Sequence, residues 1–199
     1  MQRGRGAEES QVAVPMQRKN IRYFVIALVI ILLDQISKYL IVKNLAENQA
    51  VSIIGDLLYF RFIYNEGGAM GTSVGPSWVY TVLTVLALVF IIRYFLSSQS
   101  DGNISKISLA FILGGAVGNL IDRVIHGKVV DFIDADFIDI PYLNLYRWFT
   151  FNIADSAITI GLILFAISII FYKKNDDNAI IRQPESTPPE VDSGFSKQD

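Results

Sequence analysis

The sequence predicts an all-α polytopic membrane protein, with four transmembrane helices and a small β-structure at the membrane surface. Three observations carry that prediction. The 199 residues are 52% hydrophobic and only 18% charged, more apolar side chain than a water-soluble core of this size takes up. Four apolar runs, Tyr23 to Val42, Trp78 to Leu96, Ile107 to Ile125 and Asn152 to Tyr172, each approach the roughly 20 residues that a helix needs to cross ~30 Å of hydrocarbon. Basic residues mark alternate ends of these runs, at Arg18 and Lys19, at Arg93 and Lys106, and at Lys173 and Lys174.

Composition also removes whole classes of chemistry. The chain has no cysteine, so it carries no disulfide framework, thiol nucleophile or thiolate metal site. Its one histidine, His126, makes a histidine zinc site or a Ser-His triad improbable. The net charge of -2 comes without a basic stripe interleaved with aromatics, so no nucleic acid partner is expected. The reactive groups are carboxylates.

Residues 1–22 are polar and lack apolar periodicity, which predicts a disordered cytoplasmic tail. Residues 23–173 form a single four-span membrane domain, and 174–199, rich in Pro, Ser and Glu, a second disordered cytoplasmic tail. The first span ends in Asp34-Gln35-Ile36-Ser37-Lys38 and not in a small-residue cleavage site, so it is a retained helix. At ~1.5 Å per residue Asp34 lies roughly 18 Å beyond Arg22, in the far half of the membrane, and Asp34 and Lys38 share a face at i, i+4. From Val51 to Tyr64, β-branched and aromatic residues alternate roughly around Gly55-Asp56, the signature of a hairpin. Asn65, Gly67, Gly68 and Gly71 follow in a segment whose glycines permit close approach of another chain.

The second span carries Trp78 and Tyr80 at one interface and Arg93 and Tyr94 at the other. In the third, Gly114-Gly115-Ala116-Val117-Gly118-Asn119 allows tight helix contact, and Asn119 and Arg123 share a face near the exit. Residues 130–150 read as an interfacial loop rich in Asp and aromatics, leading into the fourth span. The positive-inside rule places both termini in the cytoplasm. With that threading Asp34, Asn65, Asn119, Arg123, Asp131, Asn152 and Asp155 gather on the outer side, although they are scattered over more than half of the chain.

Carboxylates beside hydrocarbon persist where they are paired, hydrated or used. Two of them close together share a proton, so that one acts as base towards water while the other donates to a substrate carbonyl. Asp155 falls in the first turn of the fourth helix, where the helix dipole favours charge. Residue chemistry alone leaves its partner open among Asp131, Asp134, Asp136 and Asp139. It also leaves open a divalent-metal site of Asp131, Asp134 and Asp155, a proton-coupled transporter, and a non-catalytic assembly subunit.

Five blocks in order resemble the motif set of bacterial lipoprotein signal peptidase, or signal peptidase II. They are Asp34-Gln35-Ile36-Ser37-Lys38, Asn65 with Gly67 and Ala69, Gly114 to Asn119 with Asp122-Arg123, Val129-Val130-Asp131-Phe132, and Phe151-Asn152-Ile153-Ala154-Asp155-Ser156. The resemblance covers roughly Arg22 to Lys173. It implies an aspartic endopeptidase of the bacterial inner membrane, acting on diacylglyceryl-modified prolipoproteins delivered by membrane lipid, without cofactor or metal. It further implies that Asp131 and Asp155 are catalytic, that Asn119, Arg123 and Asn152 support them, and that Asp34, Lys38, Asn65 and Gly67 position structure or substrate. The hairpin then belongs to a small extracytoplasmic β-sheet. In two respects the chain departs from the pattern: Met70 stands where the family commonly has an aromatic, and the stretch from Asp134 to Trp148 is longer.

Overall fold

The computed structural model describes residues 20–67, 75–97, 102–136 and 149–181. The expected terminal tails outside 20–181, Gly68, Met70 and Gly71, and residues 137–148 of the long loop, including Asp139, lie outside the described residues. Four helices and three strands follow in the order α1 (Ile21–Asn44), β1 (Ala50–Ile54), β2 (Leu58–Asn65), α2 (Ser77–Ser97), α3 (Asn103–His126), β3 (Val129–Ala135) and α4 (Ile153–Ile181). All four helices are long and apolar enough to cross a membrane. Each expected span is therefore present, and α4 runs on past Tyr172.

Contacts at the helix ends fix the threading. Arg22 at the start of α1 donates to Asn103 at the start of α3 at 2.7 Å, so α1 and α3 are parallel. Ser77 at the start of α2 donates to the carbonyl of Gly127 just after α3, so α2 runs back. Gly127 adopts φ +73, the left-handed conformation that favours glycine after a helix, and its N–H caps the Arg123 carbonyl at 3.0 Å.

Helix α3 is the spine, packed against α1, α2 and α4. Its small residues set the spacing. A Cβ on Gly114 would lie 2.8 Å from the Ala27 carbonyl oxygen of α1, and one on Gly115 would strike the Ala154 carbonyl oxygen of α4. Backbone obstructs both positions, so neither can be relieved by a rotamer change. Gly115→Val is expected to lower the midpoint of thermal unfolding in detergent by several degrees, since overpacking costs about 1–3 kcal/mol or more. An unchanged midpoint would mean that α3 and α4 do not touch there.

Away from this seam the helices show apolar side chains to lipid, among them Leu28, Leu32, Leu86, Phe90 and Ile163. One end of the bundle is closed by edge-to-face aromatics, with Phe24 and Phe95 centroids 5.3 Å apart and Tyr94 and Phe165 5.8 Å apart. At the other end the sheet sits on the helices through Ile41, Phe62, Val130 and Phe132.

The sheet is antiparallel in the order β1-β2-β3. The hairpin expected around Gly55-Asp56 is its first two strands. Residues 130–135, expected as the start of a loop, belong instead to the third strand, which pairs Asp131 with Ile63 and Val129 with Asn65. The correction has a physical source: Val129-Val130-Asp131-Phe132-Ile133 is a β-branched and aromatic run, and its aspartates mask that pattern. A register shift between Phe60 and Ile63 lies next to Asp131, the kind of irregularity that re-aims a side chain. The far edge of β3 is taken by Phe151, whose carbonyl accepts from Ile133 N at 2.7 Å, and this brings the start of α4 against Asp131.

Candidate active site

The site is built around Asn152, which is fully buried at the N-terminus of α4. Its Oδ1 accepts from the Asp155 amide at 2.9 Å, and its own amide donates to Asp155 Oδ2 at 3.2 Å. This reciprocal pair is a capping box, in which a residue before the helix and one three positions later satisfy each other's free N–H groups. Asp155 is thus fixed by the same bonds that begin the helix. The Asn152 side-chain amide turns the other way, donating to Asp131 Oδ1 at 2.8 Å, with Asn119 Oδ1 at 3.1 Å and the Val130 carbonyl at 3.3 Å. One residue therefore holds both carboxylates, Asp131 through its side-chain amide and Asp155 through its backbone N–H.

Each carboxylate has a second donor. Asn65 at the end of β2 donates to Asp131 Oδ2 at 2.9 Å, and Asn119 of α3 donates to Asp155 Oδ1 at 2.8 Å. Asn65 Oδ1 also accepts the Gly67 amide at 2.9 Å, and the Gly67 carbonyl accepts from Arg123 at 3.2 Å. Arg123 interacts electrostatically with Asp155, Asp131 and Asp122, so it turns towards the carboxylates and does not run out to the headgroups.

Beneath lies a buried ion cluster. Lys38 is only 3% exposed and meets Asp34 at 2.8 Å, Asp122 at 3.0 Å and Asn119 Oδ1 at 3.0 Å, using all three of its donors. Asp34 in turn accepts the Ala154 amide of α4 at 2.9 Å, and Asp122 accepts the Val130 amide of β3 at 3.1 Å. Gln35 reaches Asp34, Asp122 and the Gly118 carbonyl, each at 3.1 Å. A charge cluster like this is costly to break, because removing one member strands the others away from water.

The profile of the family described as Signal peptidase (SPase) II matches residues 26–171. The chain belongs to the signal peptidase II family. It is 40% identical over 154 residues, 77% of this chain and 95% of the relative, to a lipoprotein signal peptidase of Shouchella clausii (strain KSM-K16). Two solved structures of a bacterial membrane enzyme share its fold. The 2.3 Å structure has a TM-score of 0.68 at 27% identity, over 84% of this chain and 94% of that one. The 1.9 Å structure has 0.65 at 30% identity, over 74% and 92%.

In this signal peptidase II family member the expected site residues come together in two layers. Asp131, Asp155, Asn65, Gly67, Asn119, Arg123 and Asn152 form the upper one, and Asp34 and Lys38 the lower. Asp134 does not join them; it pairs with Arg61 at 2.6 Å and is 1% exposed. The trio Asp131, Asp134 and Asp155 is therefore not assembled, and among the described residues no three carboxylate or histidine side chains converge as a metal site would need. Asp122 and Gln35 were absent from the expected set. Their signal was spacing, since Asp122 follows Gly118 by one helical turn on the face that meets Asp34.

Burial pushes the Asp131 carboxyl up to about 7, helped by the charge of Asp155, while donors from Asn65 and Asn152 and the charge of Lys38 oppose the shift. The consequence for stability has a definite sign. Below about 4 both folded and unfolded states hold the proton and Asp131 costs nothing; as pH rises towards about 7 the unfolded state alone releases it, and the folded state loses stability. Asp131→Asn removes that dependence. Its unfolding midpoint is expected to gain on wild type by a few degrees between pH 5 and pH 8, corresponding to about 2 kcal/mol. A constant difference between the two proteins would show that Asp131 titrates normally.

Proposed function

We propose that this chain is a membrane aspartic endopeptidase that removes the signal peptide from prolipoproteins, cutting just before a cysteine that carries diacylglycerol. The observation that carries the reading is the pair Asp131 and Asp155, held by a shared asparagine and by one further amide each. Membership of the signal peptidase II family and the lipoprotein signal peptidase of Shouchella clausii supply the substrate class.

In this mechanism Asp131 holds the shared proton, because its buried carboxyl keeps it up to about 7. Asp155, set at a helix N-terminus, takes a proton from water, and the oxygen attacks the scissile carbonyl carbon. Asp131 gives its proton to the carbonyl oxygen. The tetrahedral intermediate then collapses, the C–N bond breaks, the proton on Asp155 passes to the leaving amine, and Asp131 recovers its own. Arg123 and Asn65 lie beside the dyad, where they can hold neighbouring peptide carbonyls.

The protein lies in the bacterial inner membrane with both termini in the cytoplasm and the dyad at the extracytoplasmic side, as the basic flanks direct. The polar groups gather at the sheet end of the bundle, where a diacylglyceryl chain in the outer leaflet would place the scissile bond. Midplane carboxylates in repeated halves, the transporter pattern, are not what this arrangement offers.

Purified protein in detergent is expected to cleave a diacylglyceryl-modified precursor before the lipidated cysteine. The unlipidated precursor should lose at least about a hundredfold in kcat/KM, through loss of anchoring energy that positions the bond. Activity should fall as pH rises through about 7, where Asp131 loses its proton, and a metal chelator should leave it unchanged. No cleavage of the lipidated precursor, or equal cleavage of both, would remove the reading.

A further inference from the structure

Lys38 does not contact either carboxylate of the dyad, yet its ammonium meets Asn119 Oδ1 at 3.0 Å. An ammonium can only donate, so it requires the oxygen of that amide to face it. The Asn152 amide, whose own orientation is fixed by the Asp155 N–H on its Oδ1, donates to the same oxygen. The Asn119 nitrogen is thereby turned to Asp155 Oδ1 at 2.8 Å. With the amide reversed, an oxygen would face the Asp155 carboxylate and an NH2 would face the ammonium.

We propose that Lys38 is a positioning residue of the cleavage reaction, acting through Asn119 to hold the donor that orients Asp155; this rests on the reading of Asp131 and Asp155 as the catalytic pair. A charged donor on the amide oxygen also polarises the amide, so the N–H that Asp155 accepts is stronger than that of a free asparagine. The fold invests heavily in this placement. Asp34 and Asp122 hold the ammonium from two helices, and Gly118 leaves room for the Asp34 carboxylate, since a Cβ there would lie 2.6 Å from its Oδ2.

The alternative is that Lys38 serves only to neutralise buried carboxylates, and three variants separate the two roles. Lys38→Met removes the ammonium at similar length. Lys38→Arg keeps a positive donor. Lys38→Met combined with Asp122→Asn removes the ammonium but leaves the cluster with its original net charge. It is therefore the variant to rely on where the single change fails to fold.

Steady-state cleavage of the lipidated precursor is the measurement, with Asp131→Asn as the inactive control. Positioning predicts that kcat falls about tenfold or more in Lys38→Met and in the double variant, with KM within about twofold, because the loss is confined to the transition state. The alkaline limb of the pH profile should also move to higher pH in Lys38→Met and stay in place in Lys38→Arg. The groups facing Asp131 there are Asp155 from α4, Arg123 from α3, Asn65 from β2 and Lys38 from α1, and Lys38 favours its charged form. Recovery of wild-type kcat in the double variant would overturn the proposal, as would a loss in Lys38→Met that appears in KM and leaves kcat unchanged. Wild-type protein that fails to cut overturns the underlying reading instead, and Asp131→Asn that cuts normally does the same.

Discussion

Asp155→Asn and Asp131→Asn are each expected to reduce single-turnover cleavage of the lipidated precursor by about a thousandfold or more. An amide has the shape of a carboxylate but can neither take a proton from water nor hand one to a carbonyl. The two variants differ in their side effects. At 131 the change removes a group that burial disfavours in its charged form, but it also sets an N–H against one of the two donors, Asn152 and Asn65, that the carboxylate oxygens accept. Burial relief offsets part of that loss, and the unfolding midpoint reads the balance. At 155 one of the two atoms facing Asn119 and the Asn152 amide becomes an N–H set against an N–H, since both carboxylate oxygens are accepting there. That variant should lose stability as well as activity, and its folding must be checked by its unfolding midpoint. A wild-type rate in either folded variant would make that carboxylate structural.

The second large effect falls on Asn152. Asn152→Ala is expected to lower the cleavage rate about a hundredfold and stability by about 1–2 kcal/mol, because it removes an N-cap together with a donor to Asp131. Asn152→Ser separates these losses. A serine hydroxyl can cap the helix but cannot reach from there to Asp131, so the unfolding midpoint should return most of the way while the rate stays low. If serine restored both, the contribution of Asn152 would be the helix cap alone and its bond to Asp131 would be incidental.

Much of this was legible in the sequence, for reasons that differ by element. The four spans are visible because a helix in lipid must be apolar around most of its circumference, a signal that needs no partner to interpret. The hairpin at β1 and β2 announces itself through alternation and Gly55-Asp56. Strand β3 was missed because its partner strand lies more than sixty residues earlier, and only that pairing distinguishes Val129–Ala135 from a polar loop. Residue chemistry left Asp131 and Asp134 equivalent as carboxylates. Arg61, which claims Asp134, breaks the tie only in three dimensions. The choice of Asp131 came from the resemblance, and the geometry brings Asp131, not Asp134, against Asn152. Asp122 shows the same limit in reverse, since its ammonium partner Lys38 lies on another helix and spacing within α3 does not reveal it.

The cluster under the dyad has a consequence for biogenesis. Asp34 and Lys38 emerge on the first helix made, but Asp122 is supplied by the third and the Ala154 amide by the fourth. Until those segments arrive, the ion pair on α1 lacks part of the bonding that the folded protein gives it. Insertion of α4 supplies both the missing amide and Asp155 in one event. On the proposed reading of Asp155, the buried cluster and the carboxylate pair are therefore completed by the same segment.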